Sequence, residues 1–253
     1  MLFQSQAFVL VFLPLAVLAY YAVAASPTLR DWALIAASLF FYGWWDVRFV
    51  PLLVGQIGAT WLLATLGERT NSKWPLVAGV VLNLASLGTF KYLNFFLASF
   101  AAVSGWQGEH LGIVLPIGIS FFSFQLISYL IDRSRSDAPI YPLRRFALFV
   151  LFFPHLIAGP IVRHNELIPQ FNNDPMRDGL DERIGMGLIV FSIGFAKKVL
   201  LADRLADVVN PLFAQAAGGT PLSFGESWSA VFGFSLQVFL DFSGYTDMAI
   251  GIA

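Results

Sequence analysis

The chain has 253 residues, of which 57% are hydrophobic and only 12% charged, with 26 phenylalanines, a mean hydropathy of +0.71 and a net charge of −1. A soluble domain carries about 25% charged residues, so this composition marks an integral membrane protein. The near-zero charge offers no basic field for nucleic acid. The absence of cysteine excludes disulfides, thiolate metal sites and a cysteine nucleophile.

Apolar runs occupy residues 7–25, 32–45, 50–66, 74–90, 111–131, 146–162, 184–201 and 228–253. The first lacks the basic n-region of a cleaved signal and reads as a retained span. Several runs are shorter than the roughly 18 residues a simple span requires. The expected fold is therefore all-α and polytopic, with short, tilted or re-entrant helices in one membrane domain, 1–253. Residues 93–103 read as a short interfacial or re-entrant helix. The run 111–131 carries no charge over 21 residues and reads as a helix able to cross the bilayer.

With the N-terminus outside, the loops at 26–31, 67–73 and 132–145 fall inside. They carry Arg30, Arg69, Lys73, Arg133, Arg135, Arg144 and Arg145, against only Arg48 and Lys91 opposite, as the positive-inside rule favours. The cluster from Phe40 to Trp45 suits a headgroup belt better than sugar stacking. Residues 170–183 and 210–227 read as polar loops. There is no internal repeat, phosphate loop or paired metal-ligand spacing.

There are three histidines. His110 reads as solvated in a polar turn, and His164, next to Arg163, as an interfacial snorkelling pair. His155 stands between Pro154 and Pro160 inside an apolar run. It is either a buried imidazole bonded to a carbonyl freed by Pro160, or part of a substrate path. In the last run Asp241, Ser243, Tyr245 and Asp247 must be paired, protonated or wet at membrane depth. Six residues apart, the two carboxylates do not share a face of a regular helix, although Gly244 could interrupt it. Lys197 and Lys198 read as a boundary pair anchored to phosphate headgroups.

The stretches MLFQSQAFVLVFLPL, FFYGWWDVRF, FKYLNFF, LPIGISFFSFQLISYLIDRSR, FFPHLIAGPIVRHNELIPQF, GFAKKVLLADRLAD and DFSGYTDMAIG follow one another from residue 1 to 253. In that order they resemble the N-terminal part of bacterial membrane-bound O-acyltransferases of the alginate O-acetyltransferase type. The resemblance implies helices packed around a polar tunnel, in the bacterial inner membrane. It implies transfer of an acetyl or other acyl group, from a donor such as acetyl-CoA, to hydroxyls of an exported polysaccharide. No bound cofactor, metal or nucleic acid is implied. The implied partners are membrane lipids, the polymer acceptor and periplasmic O-acetylation proteins.

The family's catalytic histidines lie in Trp-His-Gly and Arg-Arg-Trp-His type motifs after the DFSGY segment, and neither occurs in residues 1–253. No catalytic residue is therefore assigned within this chain, which reads as a truncated portion, inactive alone. His155, Arg163, Asp241, Ser243, Tyr245 and Asp247 stand as candidates for lining the tunnel or substrate path. The competing reading is a non-enzymatic transporter or export-complex subunit.

Overall fold

The computed structural model describes residues 2–104, 106, 111–135, 138–157, 159–160 and 162–253. His110 lies outside the described residues. Every regular element among them is helical. The contacts divide the chain into two units: Met1–Val17, Ala158–Pro160 and Pro175–Ala253 form one, and Leu18–Ile157 with Ile161–Asp174 form the other. Among the described residues three helical stretches, Pro27–Arg69, Trp74–Ser104 and Leu180–Ala217, are long and apolar enough to cross a membrane.

After α1 (Leu13–Ala22), the larger unit is built on α2 (Pro27–Asp46), whose first turn is capped by the Ser26 hydroxyl with Pro27 at the start. Asp46 breaks the helix in an extended conformation and pairs with Arg48 at 2.6 Å. Then α3 (Val50–Arg69) returns, and α4 (Trp74–Leu87) runs out again. A π-helical turn, Gly88–Tyr92, carries α4 directly into α5 (Leu93–Ser104). Residues 93–103 are therefore not a separate re-entrant element but the end of a 31-residue helix about 46 Å long.

The run 111–131 is likewise not one helix. Residues 111–118 are irregular, and α6 spans only Ile119–Ser134. Pro116 disfavours helix at the residue before it. Gly118 has φ 73°, and a Cβ there would lie 2.6 Å from the Leu156 carbonyl oxygen, so only glycine fits. As the two prolines suggest, 146–162 is broken, into α7 (Leu143–Leu151) and α8 (Phe153–Leu156), with Phe152 at ψ 106° outside the helical region between them. A single turn, α9 (His164–Leu167), follows.

The three basic loops gather at one end of this unit. Arg144 and Arg145 hold Asp31 at 2.9 and 3.0 Å, Arg133 holds Glu68 at 3.1 Å, and Arg30 donates to the Asn173 carbonyl at 2.8 Å. Much of the charge read as cytoplasmic bias is thus consumed in ion pairs and carbonyl bonds within the fold.

In the smaller unit α10 (Leu180–Ala196) passes through a π-helical turn, Lys197–Ala202, into α11 (Asp203–Ala217). Helix therefore continues to Ala217 through Pro211, and the polar loop read at 210–227 shrinks to residues 218–223. Beyond it α12 (Phe224–Ile252) opens with a reciprocal Ser223–Glu226 cap and stays regular through Gly244. α12 runs antiparallel to α10 because glycines let the two backbones touch. A Cβ on Gly194 would meet the Gly244 oxygen at 2.5 Å, and one on Gly187 the Gly251 oxygen at 2.6 Å. Farther along, Val209 fills the notch at Gly233, and Phe213 packs edge-on against Phe234.

Gly194→Ala should lower the thermal stability of the full chain in detergent by about 1–3 kcal/mol, because the added methyl meets backbone that cannot rotate away. Gly185, on the same helix, faces open space, so Gly185→Ala should be neutral or stabilising by up to about 1 kcal/mol. Parallel melts of the two variants check this.

Candidate functional site

His155 is buried between aromatic rings, with centroids at 5.7 Å to Phe152 and 6.4 Å to Phe149. The helix break explains its bonding. The Phe153 amide leaves the helix to donate to the Ser38 hydroxyl at 3.1 Å, which frees the Phe149 carbonyl. One imidazole nitrogen donates to that carbonyl, while Nε2 is buried without a partner. The freed carbonyl is thus Phe149's, four residues before Phe153, and not one released by Pro160. His155 keeps a lone pair uncommitted.

His164 differs. It is 2% exposed, so it is not a snorkelling interfacial group. Nε2 lies 3.2 Å from Asp132 Oδ2 and Nδ1 3.0 Å from the Tyr141 hydroxyl. A carboxylate only accepts, so Nε2 carries the hydrogen and Nδ1 accepts from Tyr141 in the neutral ring. Both nitrogens are occupied, which leaves none to take a proton from a substrate. Burial holds the His164 pKa below its usual value, against the opposing pull of Asp132. Burial also raises that of Tyr141.

A cavity of about 220 Å³ opens beside this chain of bonds, lined by Gln125, Ser128, Tyr129, Phe149, Val162, Arg163 and His164. Arg163 is exposed and has no ion pair among the described residues.

The candidates near the C-terminus belong to the other unit. Lys197 pairs with Asp247 at 2.6 Å and donates to the Ser243 hydroxyl at 3.2 Å. Lys198 pairs with Asp241 at 2.7 Å and Asp203 at 2.8 Å. The two lysines therefore neutralise α12 instead of anchoring to headgroups. Because α12 is regular, Asp241 and Asp247 point differently, and each meets its own lysine. Tyr245 stacks on Phe3 at 4.4 Å, with its hydroxyl buried and unpartnered.

Asp132 and Tyr141 escaped the sequence reading. Asp132 was visible only as the first charge after a long apolar run. Tyr141 had no signal, since its role depends on the return of the chain at His164. Among the described residues no group of three or more His, Asp or Glu could hold a metal ion.

Residues 91–253 match the model of the membrane-bound O-acyltransferase family. The chain belongs to that family. It is 39% identical to the peptidoglycan O-acetyltransferase of Helicobacter pylori, with all of this chain and 53% of that protein covered. It is 40% identical to a protein named "Probable alginate O-acetylase AlgI" from Pseudomonas aeruginosa, covering all of this chain and 49% of that protein. A teichoic acid D-alanyltransferase of Lacticaseibacillus rhamnosus is 24% identical over 72% of this chain and 44% of its own length. The chain spans about half the length of the curated relatives it matches most fully.

Two outcomes follow from this geometry. A histidine held neutral when folded costs stability in acid, because the unfolded chain takes up a proton near pH 6.5 and the folded chain resists it. Melting temperatures should therefore fall from pH 8 to pH 5.5, and His164→Gln, which keeps a donor for Asp132, should flatten that fall. Lys197→Met should destabilise by about 1–2 kcal/mol, below the 3–5 of a fully buried pair because both partners are partly exposed. Combining it with Asp247→Leu should recover most of the loss in chemical denaturation.

Proposed function

We propose that this chain is part of an O-acyltransferase of the bacterial inner membrane. It transfers an acetyl or related acyl group to hydroxyls of an exported polysaccharide. The observation that carries this reading is the near-equal identity, about 40% over the whole chain, to relatives named for acetylating two different polysaccharides, peptidoglycan and alginate. The acyl donor is acetyl-CoA or a similar carrier, and the oxygen of the polymer hydroxyl attacks its carbonyl carbon. The leaving group departs, and the hydroxyl proton passes to a general base.

No histidine of residues 1–253 is assigned as that base, because neither histidine motif of the family occurs in them. In the larger unit His155 and Arg163 are candidates for the polar route to the reaction, and in the smaller unit Asp241, Ser243, Tyr245 and Asp247 are, each unit belonging to a membrane protein with several crossings. Membrane lipids and periplasmic O-acetylation proteins complete its surroundings. His155 supports the reading as a buried imidazole with one nitrogen fixed by a carbonyl and the other free.

The test is to express the full-length protein in cells lacking the native gene and to quantify acetyl esters on the exported polymer by NMR. Wild type should restore them. His155→Ala and Asp241→Asn should each reduce them at least tenfold with membrane insertion unchanged. Absence of esters with the inserted wild-type protein, across peptidoglycan and alginate-type polymers, would overturn the assignment.

A further inference from the structure

Helices α3, α4 and α6 bring unpartnered polar side chains to one level. Two contacts fix the register. Asn83 Nδ2 donates to Thr60 Oγ1 at 3.0 Å between α4 and α3. Leu130 of α6 fills the notch at Gly79 of α4, where a Cβ would lie 2.8 Å from its side chain. Seven residues is close to two helical turns, so Ser86 shares the face of Gly79 and Ser123 that of Leu130. In an antiparallel pair these two serines fall opposite each other. On α3, Gln56 precedes Thr60 by one turn on the face toward α4, which brings it to the level of Ser86.

Both polar atoms of Gln56, Asn83 Oδ1, Ser86 Oγ and Ser123 Oγ are buried with no hydrogen-bond partner. The serines had a local alternative. Thr65, Thr89, Ser192 and Ser235 each donate to the carbonyl one turn back in their own helices. Ser86 and Ser123 forgo that bond. The level lies about 17–20 Å from the basic end of these helices and one to two turns from Lys91, which donates to Ser120 at the other end, so it falls within a hydrocarbon layer about 30 Å thick. Lipid offers nothing there to satisfy an amide or hydroxyl.

We propose that Gln56, Asn83, Ser86 and Ser123 form a binding site for a small cluster of ordered water inside the bundle, within the hydrocarbon layer. The group is neutral and mixes donors with acceptors, which suits water, a molecule that typically makes about three hydrogen bonds in such sites. None of the four side chains is ionisable, so nothing in the set calls for a charged ligand.

Water-edited solid-state NMR of the full chain in lipid bilayers tests this. Polarisation from water should reach the Gln56 side-chain amide and the Ser123 Cβ several-fold faster than Leu130 and Phe122, which are buried to the same degree but apolar. Gln56→Leu should slow the transfer at Ser123. If that variant fails to insert, Ser123→Ala read at the Gln56 amide carries the same comparison. Transfer as slow as at Leu130, or unchanged by either substitution, would overturn the proposal. A sodium-dependent shift of the serine signals would assign the site to a cation and overturn it equally.

Discussion

Asp31 is 1% exposed and held by Arg144 and Arg145 at 2.9 and 3.0 Å. A carboxylate so far from water persists only when charged donors face it, and removing one partner of such a set leaves a costly unpaired charge. The rest of the larger unit follows from this anchorage. Asp31, Ile35, Ser38 and Tyr42 form one buried face of α2 at helical spacing. At the near end that face fixes the start of α7. Two turns on, Ser38 takes the Phe153 amide and so stabilises the break before α8. The orientation of His155 is thus set by a helix more than a hundred residues earlier in the chain. Arg30, next to Asp31, ties the same helix to Asn173.

Charge plays a parallel part in the smaller unit. Two adjacent lysines at a π-helical turn meet two carboxylates that a regular α12 sends in different directions. A π-turn widens the local helix, and here it carries polar side chains at the junction of α10 and α11. Lys198 bridges α12 and the first residue of α11. It therefore secures the junction from both sides.

Much of this was legible in the chain. Hydropathy gave the helical class, Pro154 and Pro160 the broken segment around His155, and the basic loops a common end. Where the reading failed, the cause was physical. Residues 111–131 are uniformly apolar, so periodicity could not separate irregular backbone from helix; only Pro116 and Gly118 marked the boundary. At 93–103 the weak helix signal hid a π-turn that preserves continuity. Pro211 and the polar residues around it suggested a loop, yet α11 tolerates them by packing on α12. Lys197 and Lys198 looked like headgroup anchors because a local reading has no access to carboxylates more than forty residues away. The same blindness hid Asp132 and Tyr141, whose meaning comes from the return of His164.

The glycine seam between α10 and α12 has a mechanical consequence for the smaller unit. Main chain rests directly on main chain at Gly194 and Gly244, and again two turns away at Gly187 and Gly251. With no side chain between them to change rotamer, the two helices behave as one stiff rod over that length.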